Sequence, residues 1–295
     1  NPYKITFQSK RFLETIKLQY EIVLRYESQK KAELRMLTDK QLSYYRENGY
    51  VIPDYRLMDS ILSEISDAHN HLIEHQPQFI DFCSTLLASD MGFLNFARNT
   101  EILNCVSQLL GDDIILWNES FFAKPAKTGS TTPWHQDGEY WPIRPLATCT
   151  VWIAVDDSST ENGCLRVIPG SHKNKRLLEH ELNEDPDLSL PLELKKSEFD
   201  EKLAHDIILE AGQISIHDVY LVHGSKANNS NKSRRGLTLR FMPATSVYDR
   251  DIERQNRQNG TSTAPERSLF LMRGIDRSGK NDFRVRINTS WEGVQ

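Results

Sequence analysis

His135 and Asp137 stand two residues apart in Trp134-His135-Gln136-Asp137, and another histidine, His223, follows much later in the chain. In an extended strand, residues i and i+2 share a face, so this spacing presents an imidazole and a carboxylate side by side. A second imidazole from His223 completes a set of two His and one carboxylate. That set leaves coordination positions open on the metal, as in the facial triad of non-haem Fe(II) oxygenases. His135, Asp137 and His223 are therefore the candidate metal ligands and catalytic residues. An H-x-D triplet recurs by chance in many chains, so the weight falls on its surroundings.

Ser215 to His223 reads as one strand with His223 at its end, where a barrel would open toward substrate. His217 shares that face by parity. Along a continuous strand at ~3.3 Å per residue it lies ~20 Å from His223, too far to hold the same ion. Arg234 to Phe241 alternates strictly: Leu237, Leu239 and Phe241 take one face, and Arg234, Gly236, Thr238 and Arg240 take the other. An arginine aimed into a barrel must meet an anion, because an unpaired buried charge is prohibitively costly.

The elements that must position these residues fall into two parts. Phe12, Leu13, Ile16, Tyr20, Val23 and Leu24 recur at helical spacing within residues 10–36. Thr38 and Gln41 form a capping box for a second helix, with Leu37 and Leu42 as its hydrophobic staple and Gly49 as its stop. Tyr50-Val51-Ile52 reads as a short strand, and Met58, Ile61, Leu62, Ile65 and Leu72 mark a third helix, on which His69, His71 and His75 are expected to face solvent. From about residue 112 the chain turns to short β-rich runs: Ile114–Leu116, Ser120–Ala123, Thr148–Val155, Leu165–Ile168, Ile207–Leu209, Ser215–Val222 and Leu237–Met242. Turn chemistry separates them at 156–163 and Pro169-Gly170-Ser171, which predicts a sandwich or barrel with the helices covering one face. Residues 172–205 are polar and acidic and predict an excursion from the sheet. Residues 245–282, punctuated by Gly260, Gly274 and Gly279, predict a long loop or lid.

Composition excludes several classes. At 295 residues and a net charge of -5, with acids and bases interspersed, the chain has no basic stripe suited to nucleic acid. It has no apolar run near the ~20 residues that span a bilayer. Cys83, Cys105, Cys149 and Cys164 lack C-x-x-C pairing and predict buried, reduced thiols. The triplets at Asn118 and Asn231 match glycosylation acceptors only by chance on this reading. The expected setting is intracellular and cytoplasmic, although a chain that does not begin with Met is compatible with a targeting segment already removed. Nothing in the sequence sets the oligomeric state.

Taken together, several motifs resemble the phytanoyl-CoA dioxygenase family: His135-Gln136-Asp137, Tyr140-Trp141-Pro142, Pro145, Val151 to Asp157, Glu161-Asn162-Gly163-Cys164-Leu165, Val167 to His172, His223-Gly224-Ser225 and Arg234. Leu37-Thr38 to Gly49-Tyr50-Val51 is similar to that family's opening, so the resemblance spans roughly residues 37–245. It implies an α+β, mainly β fold: a double-stranded β-helix, or jelly-roll and cupin-like core, with N-terminal helices packed on one sheet. The expected layout is one domain over 1–295, with a helical part at 1–75, the jelly-roll core at 112–245 and a candidate lid at 245–282.

The resemblance also implies an Fe(II)- and 2-oxoglutarate-dependent dioxygenase that uses O2 to oxidise a C–H bond of a small-molecule metabolite. Hydroxylation is the expected outcome, with succinate and CO2 as coproducts, and desaturation or oxidative ring closure the alternative from the same cofactors. His135, Asp137 and His223 would hold iron. Arg234 would grip the distal carboxylate of 2-oxoglutarate with Ser225 assisting, and Trp152 and Ser120 would line the cosubstrate pocket. Tyr140, Trp141 and Lys124 would line the substrate side. Asp137 stands where halogenating relatives carry a small residue, which implies oxidation without halogenation. Two rivals share the ligand set: a zinc hydrolase or cupin-like isomerase, which Arg234 and Ser225 disfavour, and a metal-binding sensor of the same fold without turnover.

Overall fold

Thr38 caps its helix as the sequence predicts. Its side chain accepts from the Gln41 backbone N–H while the Gln41 side chain accepts from the Thr38 N–H, closing a capping box on helix Asp39–Asn48, which Gly49 ends at φ 82°. Leu37 is fully buried beside the cap and Leu42 packs against the same core. The computed structural model describes residues 35–183, 185, 187–258 and 266–286, so the helix expected over 10–36 lies almost wholly outside the described residues.

Two antiparallel sheets carry the fold. The larger orders its strands β1 (Tyr50–Val51), β11 (Ile214–Asp218), β6 (Cys149–Ala154), β13 (Arg234–Pro243), β3 (Ile114–Lys124) and β15 (Phe270–Arg273), with β2 (Phe82–Cys83) also on β3. The smaller runs β10 (His205–Ile207), β7 (Leu165–Val167), β12 (His223–Ser225) and β4 (Thr132–His135). Two short pairs accompany them, β5 (Ile143–Arg144) with β14 (Val247–Tyr248) and β8 (His180–Leu182) with β9 (Leu192–Leu194). Neighbouring strands are distant in sequence because the chain winds back and forth between the sheets, giving the double-stranded β-helix.

The alternation on β13 divides the larger sheet into two faces. Leu237, Leu239 and Phe241 join Val151, Ile153 and Ile216 in one core with Ile65 and Leu72 of helix Asp59–His75 and Ile102 and Val106 of helix Thr100–Leu110. Each such buried side chain contributes about 1.5–3 kcal/mol, enough for this face to anchor the sheet while the opposite face carries polar groups. Arg234, Thr238 and Arg240 lie on that opposite face, around a cavity between the sheets.

Several expectations need correction. Ile114–Leu116 and Ser120–Ala123 are not two strands, because residues between them keep pairing with β13 and the irregularity is a bulge between Arg240 and Phe241. The run Ser215–Val222 ends as a strand at Asp218, whose carboxylate accepts from Tyr220 N–H and whose carbonyl accepts from Leu221 N–H, turning the chain toward the smaller sheet. Within 172–205, the β8–β9 pair gives the excursion regular structure. Residues 245–282 are not a plain loop. They contain β14, helix Arg250–Gln258 and β15, which extends the larger sheet beyond 112–245, as β1 and β2 do from the other side. His69 does not face solvent. It is buried with its ring stacked on Phe121 at 3.9 Å, whereas His71 and His75 are exposed. All four cysteines are free and buried. Among the described residues, no helix is long and apolar enough to cross a membrane.

Candidate active site

β4 and β12 lie side by side with His135 and His223 as cross-strand partners, which brings their rings to 4.2 Å between centroids. Beyond β4 the chain stays extended at Gln136 (φ -115°, ψ 131°), so Asp137 keeps the i+2 register with His135 although it begins a short 3-10 turn. The His135 and His223 Nε2 atoms sit 3.8 and 4.0 Å from Asp137 Oδ1. Each imidazole is oriented from behind: His135 Nδ1 is 2.8 Å from the Pro133 carbonyl and His223 Nδ1 is 2.9 Å from the Leu221 carbonyl. That contact fixes Nδ1 as the protonated nitrogen and leaves both Nε2 lone pairs aimed at Asp137 Oδ1. The other carboxylate oxygen, Oδ2, accepts from the Thr150 hydroxyl at 3.0 Å.

These donors fit a divalent metal. All three are buried, and their ligand atoms lie within 4.8 Å of one another. Burial, reinforced by the neighbouring His135, pushes the His223 imidazole well below its ordinary pKa, so it is neutral and able to ligate. Burial alone would raise the Asp137 carboxyl, but the polar groups around it, the charge of Arg240 among them, hold it well below the usual carboxylate range.

Between the two ligands, Gln136 locks the triplet in place. Its amide donates to the Tyr220 carbonyl at 2.7 Å and the Arg176 carbonyl at 3.1 Å, and its side-chain oxygen accepts from Leu178 N–H at 2.7 Å. Gln136 thus ties the His135 strand to the turn that delivers His223.

His217 was expected ~20 Å from His223 along an unbroken strand. Its ring is instead 4.7 Å from the His223 ring, and its Nε2 lies 3.5 Å from Asp137 Oδ2. The turn at Asp218 is the reason, since it reverses the chain between the two histidines.

Arg234 lines the inner cavity together with the three candidate ligands. It is 3 % exposed, its Nε donates to the Gly163 carbonyl at 3.2 Å and its Nη1 to the Phe122 carbonyl at 3.3 Å, and it lies 5.4 Å from the Trp152 ring. Burial lowers its pKa to about 10, which still leaves it charged. Arg235, on the opposite face, is spent on Asp156 at 2.8 Å. Trp152 and Ser225 also line the inner cavity, together with Thr132, Thr150 and His217.

An outer cavity of about 430 Å³ opens from His135 and Asp137 toward β14, β9 and helix Arg250–Gln258. Trp141 lines it, edge-on to Trp117 at 4.5 Å. Ser120, expected on the cosubstrate side, lines this outer cavity, where its hydroxyl accepts from Arg240 at 2.6 Å. Lys124, expected on the substrate side, pairs with Arg234 across β3 and β13, and its Nζ donates to the Ser130 carbonyl. Burial, with Arg234 adding to it, pulls the Lys124 pKa down to about 6. The side chain of Tyr140 lies outside the described structure. Thr150 and Gln136 carry roles that the sequence does not assign, although parity with Trp152 on β6 marks Thr150. His217 shares a face with His223 by parity, and only the length of an unbroken strand set it aside.

A family profile described as Phytanoyl-CoA dioxygenase (PhyH) matches residues 45–236. The chain belongs to that family. It is 32% identical over 159 residues to a phytanoyl-CoA dioxygenase domain-containing protein 1 homolog of Caenorhabditis elegans, covering 52% of this chain and 55% of that one. The chain spans about half the length of the first curated relatives it matches. Among solved structures, it resembles the apo form of a non-heme monooxygenase, ThoJ, at TM-score 0.64 and 23% identity, covering 84% of this chain and 89% of that one. It also resembles the epimerase SnoN in complex with Fe3+, alpha ketoglutarate and nogalamycin RO, at TM-score 0.62 and 21% identity over 83% and 97% of the two chains. At these identities the structural likeness concerns the fold, the same double-stranded β-helix described above.

Proposed function

We propose that this protein is an Fe(II)- and 2-oxoglutarate-dependent dioxygenase that hydroxylates a C–H bond of a small molecule and releases succinate and CO2. One observation carries the reading: a buried two-His, one-carboxylate cluster and a buried arginine whose hydrogen bonds among the described residues go to carbonyls line one cavity. Arg234 with Ser225 disfavours a zinc hydrolase, whereas a dicarboxylate cosubstrate supplies the anion that the arginine lacks.

His135, Asp137 and His223 would hold the metal through the two Nε2 atoms and Oδ1. Iron with bound 2-oxoglutarate and O2 supplies the C–H-oxidising chemistry. The residues of this chain fix the geometry around it. The Pro133 and Leu221 carbonyls set the two imidazole tautomers, and Thr150 turns the Asp137 carboxylate so that one oxygen stays free. Arg234 would clamp the distal carboxylate of the cosubstrate, with the Ser225 hydroxyl beside it and the Trp152 ring as the wall. The outer cavity selects the substrate and determines which of its carbons comes within reach.

Succinate release from 2-oxoglutarate by the iron-loaded protein tests the reading. We expect 2-oxoglutarate-dependent, oxygen-dependent succinate formation in the unmodified protein, at least 100-fold lower in His223→Ala. A protein that binds iron but neither binds nor consumes 2-oxoglutarate contradicts it.

A further inference from the structure

Arg240 is a second buried guanidinium on the cavity face of β13, and it lines both the inner and the outer cavity at 6 % exposure. Its hydrogen bonds both leave from Nη1, to Ser120 Oγ at 2.6 Å and Thr238 Oγ1 at 3.1 Å, two neutral acceptors. Its Nε is buried and has no partner among the described residues. The carboxylate that acts on it is Asp137, which the proposed iron would claim. The Trp141 and Phe122 rings lie 5.4 and 5.8 Å from the guanidinium carbon and confine it.

A second cation enters the same outer cavity. Arg267 is held there by the Ser84 carbonyl at 2.9 Å and by Asn118 Oδ1, again neutral acceptors. Of the acids in the wall, Glu253 pairs with Arg250 at 3.0 Å and Arg257 at 3.6 Å and accepts from the Tyr248 hydroxyl at 3.0 Å, while Glu139 lies nearest His180, at 3.8 Å, and pairs with neither Arg240 nor Arg267. Among the described residues, the cavity therefore presents two guanidinium groups without matched carboxylates, set among the apolar side chains of Trp117, Phe82, Leu190 and Leu192.

A buried cation without a counter-charge is costly, and the planar edge of an arginine matches a carboxylate in two parallel hydrogen bonds. We propose that the substrate is an amphipathic organic acid whose carboxylate pairs with the guanidinium of Arg240 while its apolar body fills the outer cavity. This proposal rests on the oxygenase reading above and names the substrate class for that site. Because Arg240 shares the inner end of the cavity with His135 and Asp137, the C–H bond within reach lies close to the acid group.

The test uses the Fe(II)- and 2-oxoglutarate-loaded protein without oxygen, titrated with 3-phenylpropanoate and octanoate and with the corresponding neutral amides. Trp117 and Trp141 in the cavity wall give a fluorescence readout, and 2-oxoglutarate binding is measured separately by equilibrium dialysis. We expect at least one acid to bind at least tenfold more tightly than its amide. Arg240→Gln should erase that preference, and Arg240→Lys, which keeps the charge, should retain part of it. Binding of neither acid, equal binding of acid and amide, or an unchanged preference in the Gln variant overturns the proposal. So does a tenfold loss of 2-oxoglutarate affinity in the Gln variant, which would assign Arg240 to the cosubstrate. Failure of the oxygenase reading registers separately, as absence of 2-oxoglutarate binding to the unmodified protein.

Discussion

The His217 and His223 rings lie 4.7 Å apart, inclined at 50°, although one belongs to the larger sheet and the other to the smaller. The turn led by Asp218 folds the chain back so that both imidazoles reach the carboxylate of Asp137, His223 toward Oδ1 and His217 toward Oδ2. His217 is 2 % exposed, and neither ring nitrogen has a hydrogen-bond partner among the described residues.

The two histidines should separate cleanly in metal binding. Oδ2 is already engaged by Thr150, and Oδ1 faces His135 and His223, so His217 stands outside the ligand set. His217→Leu should keep one Fe(II) per chain after anaerobic dialysis, whereas His223→Ala should retain well under half of it. Loss of metal from the His217 variant and not from the His223 variant would reverse the assignment.

Arg234 and Arg235 are neighbours with opposite duties. Losing a charge-assisted contact of roughly 1.5–3 kcal/mol, Arg234→Ala should weaken 2-oxoglutarate binding roughly 10- to 150-fold. Arg235 is committed to Asp156, so Arg235→Ala should lower stability by roughly 1–2 kcal/mol and leave cosubstrate affinity unchanged. Calorimetric titration and denaturant unfolding of the two variants distinguish these effects. The opposite pattern would mean that the β13 faces are exchanged.

Gly236 is the residue on which Trp152 rests. A Cβ there would sit 2.2 Å from the Trp152 ring, so even alanine must displace the indole that walls the inner cavity. Gly236→Ala should therefore reduce 2-oxoglutarate affinity at least tenfold, and the additional change Trp152→Leu should restore part of it by making room. Unchanged affinity in the single variant would show that the indole does not shape the cosubstrate site.

His69 makes the fold sensitive to acid. Its burial against Phe121 lowers its pKa to about 4 from 6.5. Between those values the unfolded chain binds a proton that the folded protein refuses, so stability falls as pH drops from 6.5 toward 4, by about 3 kcal/mol in all. Unfolding by urea at several pH values should show this slope, and His69→Leu should flatten it. An unchanged slope in the variant would place the acid sensitivity elsewhere.

Local periodicity determined much of this protein from sequence alone. The i, i+2 spacing of His135 and Asp137 survived because Gln136 stays extended, and the alternation from Arg234 to Phe241 assigned each β13 residue to the face it occupies, since strand parity depends only on the local backbone. The capping box at Thr38 held for the same reason. The approach of His217 to the site, the entry of Arg240 and Arg267 into one cavity, the burial of His69 and the addition of β15 to the larger sheet were decided only by the tertiary structure. Each depends on segments far apart in sequence coming together, or on a turn that breaks the parity of a strand. At Asp218, a carboxylate accepting one backbone N–H was enough to replace an extended span of ~20 Å with a direct approach of two imidazoles.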